Sequence, residues 1–286
     1  MRRWLGAAPG RDLATQIGGN AMLTAFQWFC LFSILAASFA GGFYPQFRQD
    51  AARSDSGFPM GEAFTAGVFM ALALTLMMPS SFHLLQTEFP KLDYPITSLI
   101  VIGTFFFLLA LEQISHRVEE RLAGGAAELS PPTIPLIMTA MIAIPSFFLG
   151  TALGVSETGA AIFIFVAIMV HKSSAAFALA LKMVRSTMTR GQVWLAFSLF
   201  AFSTPVGIVV GQRIHELLGP HTLNTVKGII LGLAAGTFLY MATVHEFRRA
   251  PMIANCNTLK GFGVMLAGFL ITAFVRFLIG EAHHMG

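Results

Sequence analysis

A histidine and a lysine lie side by side within a long apolar stretch of the sequence. His171 and Lys172 follow the apolar segment 162–170 and precede the largely apolar segment 173–181. An ionisable side chain is costly at the depth of a lipid bilayer, so it usually faces a bundle interior or a water-filled path and marks the route of an ion or a proton. Imidazole is also a preferred ligand of zinc and iron. These two residues are therefore the first candidates for a functional site.

The composition indicates that this stretch crosses a membrane. Hydrophobic residues make up 55% of the 286 residues and charged residues only 11%, against about 25% charged residues in soluble domains. The mean hydropathy is +0.71, and a spanning helix needs about 20 mostly apolar residues. Eight segments meet this requirement, at approximately 22–43, 64–85, 95–114, 134–154, 159–183, 194–211, 228–244 and 262–280. The predicted fold is an all-α integral membrane protein, a bundle of eight transmembrane helices.

The predicted organisation is a single membrane domain. Residues 1–21 form an N-terminal segment outside the membrane, residues 22–280 form the transmembrane domain, and residues 281–286 form a C-terminal tail. The linker 115–133 contains adjacent glycines and then adjacent prolines, which is typical of a flexible connection that ends at helix breakers. It divides the helices into a group of three and a group of five, a 3+5 arrangement.

The basic residues predict the orientation of the chain. A pI near 9.4 could indicate a nucleic-acid partner, but the lysines and arginines are scattered through short loops without a basic block. Ten of them lie in the loops of one side, and six lie in the loops and termini of the other. The positive-inside rule places the first set in the cytoplasm and both termini outside. The expected surroundings are a lipid bilayer, and we expect no nucleic acid.

Small residues recur at four-residue spacing within the spans. Gly150 and Gly154 form one such pair, and Gly207 and Gly211 form another. Such patterns let transmembrane helices approach closely. They favour a tightly packed bundle rather than a binding site.

Three motifs resemble those of the ZIP family of divalent-metal transporters, in the branch that includes several animal plasma-membrane members. Residues 171–179 read HKSSAAFAL, similar to HKxxxAxxL; residues 202–208 read FSTPVGI, similar to FSxxTPxGI with a shortened gap; and residues 232–240 read GLAAGTFLY, similar to G(L/M)AAGTFLY. The resemblance implies a secondary transporter that moves a divalent metal toward the cytoplasm. The metal is its substrate, zinc or alternatively iron or manganese, and no cofactor is expected. A homodimer in the plasma membrane is what the resemblance suggests.

The same resemblance implies a set of metal ligands. His171 stands at a ligand position of the family. The family often has a glutamate shortly after FLY, where this chain has His245 followed by Glu246. Lys172 stands where a lysine of the branch fills a second metal position with fixed charge, although here it could equally repel metal.

Three further polar residues are candidates for the pathway. Ser146 matches the serine of the family motif HSxxEG in span 4, and Thr204 lies in the span 6 motif. Glu112, at the end of span 3, could be a station where the metal enters or leaves, or an ordinary interface anchor.

The span 4 motif departs from the family pattern at both of its ligands. The segment 145–150 reads PSFFLG, so Pro145 and Leu149 replace the histidine and the glutamate. Neither side chain can donate electrons to a metal, whereas zinc sites usually have four donors. Carbonyl groups freed by Pro145, around Met141 and Ile142, could coordinate only a hard cation well. The alternative function is therefore a divergent, metal-transport-deficient member with a structural or regulatory role, or with a different solute.

An intramembrane enzyme is not favoured. The sequence contains no HExxH and no GxSxG motif, and no aspartates are paired in facing spans. We therefore expect a protein without enzymatic activity.

Overall fold

The computed structural model describes residues 23–47, 59–91, 93–122, 131–184, 186–244 and 258–282, and these residues are almost entirely helical. The helices are α1 (Ala25–Phe47), α2 in two parts, α2a (Pro59–Leu72) and α2b (Met78–Glu88), α3 (Ile96–Leu122), α4 (Thr133–Val155), α5 (Thr158–Val184), α6 (Arg190–Leu217), α7 (Pro220–Thr243) and α8 (Leu259–Ala282). Each of the eight is long and apolar enough to cross a membrane. The predicted all-α bundle of eight spans is confirmed.

Some predicted segments fall beyond this part of the chain. The N-terminal segment 1–21 lies outside the described residues, as do residues 123–130 of the linker 115–133 and residues 283–286 of the tail. The described part of the linker differs from the prediction, because α3 continues through the charged residues Arg117 and Arg121 to Leu122. Hydropathy detects only the apolar part of a helix, so it ends the span where the charges begin.

A π-helical turn, Ala73–Met77, separates α2a from α2b. Pro79 is the second residue after this turn, and it lacks the N–H group that would bond to the carbonyl of Thr75, four residues earlier. The turn is largely buried, with Ala73, Leu76 and Met77 in the core. A π turn of this kind is rare and is often found at functional sites.

Helices α4 and α6 are packed with their backbones in contact. A Cβ atom added at Gly150 would overlap the carbonyl oxygen of Thr204, and one added at Gly211 would overlap that of Thr151. Gly154 and Gly207 meet backbone atoms of the opposite helix in the same way. The close packing predicted from the glycine spacing is confirmed, because only residues without a side chain allow this approach.

Helix α7 is the most buried of the described spans, and α8 the least. Helix α7 lies against α2b and α3, where Gly228 contacts Leu85 and Gly236 contacts the backbone of Val101. Helix α8 packs along α2a, and α1 along α5. The centre of the bundle therefore consists of α2, α4, α5 and α7, and α8 is peripheral.

One end of the bundle is marked by polar contacts between helix termini. The Glu88 carboxylate accepts a hydrogen bond from Asn224 at 2.9 Å and lies 3.1 Å from the ring of His221. These contacts join the last residue of α2b to the first turns of α7. We call this the Glu88 end; the loop charges predict that it faces outside.

Candidate metal centre

His171 lies in the middle of α5 and faces the bundle interior. The residue is only 8% exposed. Its imidazole packs edge-on against Phe69 of α2a, with ring centroids 5.4 Å apart. Phe69 in turn stacks on Phe238 of α7 at 4.7 Å. Helices α2a, α5 and α7 therefore meet at the one histidine that the sequence places in mid-span.

Lys172 points in a different direction from its neighbour. Only 1% of the residue is exposed. Its Nζ atom donates hydrogen bonds to the carbonyl oxygen of Phe200 at 2.7 Å and to the hydroxyl oxygens of Ser203 and Thr204, each at 3.1 Å. The same atom lies 3.8 Å from the centroid of the Phe200 ring. Lys172 is thus bound to one turn of α6.

This arrangement satisfies a buried ammonium group entirely with neutral partners. An ammonium has three donors, and the carbonyl and the two hydroxyl groups take all three. The negative face of the Phe200 ring adds a cation–π contact. The acceptors come from the turn before Pro205, whose missing N–H already weakens the regular bonding of α6 there. Whether Lys172 acts as a fixed charge toward a metal stays a prediction.

The predicted site residues that the structure describes are all buried. They are Glu112, Ser146, His171, Lys172 and Thr204. Among the contacts described above, one hydrogen bond joins two of these residues, that from Lys172 to Thr204. Burial agrees with the expectation that polar groups within spans face the protein rather than lipid.

The face of α4 that would carry the missing ligands lies in the protein core. Pro145 and Leu149 are both buried. Leu149 belongs to the same apolar cluster as Phe69 and Phe238, the two rings next to His171. Among the described residues, no group of three or more His, Cys, Asp or Glu side chains lies together. Apolar side chains therefore occupy the region where the family resemblance places metal ligands.

Glu112 joins α3 to α7 near the last turns of both spans. Its carboxylate is buried and accepts a hydrogen bond from the hydroxyl group of Tyr240 at 2.5 Å. The two other predicted ligands, His245 and Glu246, follow Tyr240 in the chain and lie outside the described residues. Their role, like that of Glu112 and Ser146, stays a prediction.

The sequence did not indicate the contacts around His171 and Lys172. Phe69, Phe238 and Phe200 are apolar residues in apolar helices, and nothing in their type distinguishes them from other core residues. The one available signal was the Ser203-Thr204-Pro205 segment, since hydroxyl groups before a proline offer acceptors inside a span.

The helices and the buried His171 and Lys172 define the class of this molecule, a multi-pass integral membrane protein. The sequence model of the ZIP zinc transporter family matches residues 125–276. Zinc transporter ZIP1 of Danio rerio is 27% identical over 248 residues, which cover 71% of this chain and 82% of the relative. Zinc transporter ZIP2 of Homo sapiens is 25% identical over 299 residues, covering 86% and 96%. The family match spans more than half of the chain, and the chain belongs to the ZIP zinc transporter family.

A third relative matches a shorter region more closely. Zinc transporter ZIP9 of Xenopus tropicalis is 32% identical over 152 residues, which cover 51% of this chain and 50% of the relative.

Proposed function

We propose that this protein is a secondary transporter that carries a divalent metal, with zinc as the leading substrate, across the membrane toward the cytoplasm. One observation carries the proposal: a buried histidine stands at the family's ligand position, at the meeting point of three central helices. The similarity to zinc transporters over most of the chain supports the same function.

The proposed ligands are His171, His245 and Glu246. They supply imidazole and carboxylate groups, which are the donors that zinc accepts in proteins besides thiolate. Because α4 contributes no imidazole or carboxylate group, these residues and bound water would complete the coordination shell. Ser146, Glu112 and Thr204 are the polar groups proposed to line the rest of the path.

Lys172 is proposed to act as a fixed positive charge beside this path. Its ammonium is anchored on α6, while His171 points toward α2a and α7. A cation near the site would restrict it to a single metal ion, because a second ion would be repelled.

The proposed location is the plasma membrane, with both termini outside and a homodimer as the assembled form. Loop charge supports the orientation by the positive-inside rule. The 3+5 division of the spans rests on the composition of the linker 115–133, and the choice of membrane and the dimer rest on the family resemblance. Accessibility labelling of single cysteines placed in the loops of whole cells tests the orientation.

Metal influx into proteoliposomes of the purified protein tests the proposed function. Zinc, iron, manganese and copper are each presented outside, and uptake is compared with that of protein-free liposomes. We expect saturable zinc influx, because zinc suits an imidazole and carboxylate site. Well-folded protein that admits none of the four metals would contradict the proposal and favour the transport-deficient alternative.

Restoring the span 4 ligands is expected to create a stronger metal site. Pro145→His together with Leu149→Glu places an imidazole and a carboxylate one turn apart on a buried face of α4. Without metal this variant loses stability, because a carboxylate replaces a leucine in the apolar core. Zinc at about a hundred times its Kd should then raise the free energy of unfolding by about 2.7 kcal/mol. The measurement is thermal unfolding with and without zinc.

The matched control for this variant is Leu153→Glu, which buries the same carboxylate one turn further along α4. It should be destabilised to a similar degree, but zinc should not restore it. An equal response of both proteins to zinc would show that the span 4 position has no special relation to the metal.

A further inference from the structure

A cavity of about 300 Å³ opens at the Glu88 end of the bundle. It lies between α2b, the turn from α4 to α5, and helices α7 and α8. Its polar lining consists of Ser80, His83, Ser156, Glu157, Lys227 and Arg276. The volume is at the lower end of the range for small-molecule sites. The cavity is separate from the region of His171, which does not line it.

Arg276 brings a charge into this cavity from helix α8, whose other charged residues, Lys260 and Glu281, lie near its two ends. The Nε atom of Arg276 is buried and has no hydrogen-bond partner within the described part of the chain. A buried donor without an acceptor is unfavourable, and more so when the group is charged. Arg276 also lines the open cavity, so its guanidinium group is placed to bind a ligand there.

Lys227 brings a second charge that is also incompletely satisfied. Its side chain is only 16% exposed, and its described partner is the carboxylate of Glu157 at 3.7 Å. That distance is too long for a hydrogen bond. The Glu157 side chain is 88% exposed, so water screens its attraction for the ammonium.

The charges of the lining decide which kind of ligand the cavity fits. Two largely buried cations face one exposed carboxylate, so a divalent metal would be repelled and an anion attracted. The hydroxyl group of Ser156 already donates to the carbonyl of Ala152 at 2.6 Å. The charged donors in the lining are those of Arg276 and Lys227, and the hydroxyl group of Ser80 and the ring of His83 also line the cavity.

We propose that this cavity binds a small oxyanion of the phosphate type, held by the guanidinium of Arg276 and the ammonium of Lys227. A guanidinium matches two oxygens of such a group at once, and a lysine ammonium serves as a compact second charge. The oxyanion has two sources at a membrane surface, free phosphate in solution or the headgroup of an anionic phospholipid. The proposal does not rest on metal transport.

Two titrations of the purified full-length protein in uncharged detergent distinguish the sources. The first adds inorganic phosphate at constant ionic strength, with chloride as the reference. The second adds phosphatidylglycerol, with phosphatidylcholine as the reference. Thermal unfolding reports stabilisation in both titrations, and native mass spectrometry reports bound phosphate or lipid directly.

Two variants remove one charge each, Arg276→Gln and Lys227→Gln. The control is Arg213→Gln, which removes an arginine near the same end of the bundle. Its side chain is 54% exposed, and its ion pair within the described residues is with Glu216 at 3.7 Å. We expect each cavity variant to bind about tenfold more weakly or worse, since hydrogen bonds to charged groups are involved. The control should bind as the wild type does.

Specific binding of either phosphate or phosphatidylglycerol, weakened in both cavity variants, supports the proposal and identifies the source. If the wild-type protein binds neither phosphate nor phosphatidylglycerol, the proposal is overturned. This test does not depend on the folding of any variant. Equal binding by the control and the two cavity variants overturns it as well. Arg276→Lys, which keeps the charge but not the paired donors, replaces Arg276→Gln if the latter does not fold.

Discussion

His171→Ala is expected to reduce zinc influx to less than about a tenth of the wild-type rate while leaving the amount of folded protein unchanged. The imidazole lies at the meeting point of α2a, α5 and α7. Mutation even of residues that only support metal ligands typically lowers metal affinity or activity 10- to 100-fold. The measurement is initial zinc influx into proteoliposomes containing equal amounts of protein. His215→Ala is the matched control, because His215 is exposed near the end of α6.

A second substitution separates the metal role of His171 from its packing role. His171→Phe removes both ring nitrogens but keeps an aromatic ring against Phe69, which the wild-type imidazole contacts edge-on. We expect this variant to unfold at a temperature close to that of the wild type and still to lose influx. Wild-type influx through His171→Phe would show that the histidine only fills space between α2a and α7.

His171 and Lys172 show which features of the site could be predicted from the sequence and which could not. Their burial could be predicted, because ionisable residues in mid-span face the protein interior. Their separation follows from helix geometry, since adjacent residues point about 100° apart around a helix with 3.6 residues per turn. Their partners Phe69 and Phe200 could not be predicted, because they depend on which helices lie beside α5. Long-range packing of this kind leaves no periodic signal in the chain.

The candidate role of Arg276 could not be predicted from the sequence, for a different reason. The rule that identified Lys172 applies equally to an arginine within the eighth span, yet a residue near the end of a span is ordinarily an interface anchor. Arg276 is distinguished from such an anchor by the cavity that it lines and by its buried Nε atom, which has no hydrogen-bond partner among the described residues. Hydropathy similarly predicted the number of spans, but not the π turn in α2, because an extra backbone residue in one turn does not change the apolar character of the segment.

Gly150→Leu is expected to prevent assembly of the bundle. Even the Cβ atom of the new side chain would overlap the carbonyl oxygen of Thr204. A backbone atom within a helix cannot move aside as a side chain can, so α4 and α6 would have to separate along their whole contact. A larger side chain in a packed core lowers the free energy of unfolding by about 1–3 kcal/mol when neighbouring side chains can move. We expect a larger loss of stability for Gly150→Leu. Size-exclusion chromatography should show aggregated protein.

The control for Gly150→Leu is Gly103→Leu, the same substitution at an exposed position of α3. A Cβ atom at Gly103 meets nothing within 4 Å, and its neighbours Ile102 and Phe106 are exposed apolar residues. Leucine also favours a helix by up to about 1 kcal/mol relative to glycine. Gly103→Leu should therefore elute as the wild type and unfold at an equal or higher temperature. If Gly150→Leu behaves in the same way, the backbone contact between α4 and α6 does not hold the bundle together, and the glycine spacing has another cause.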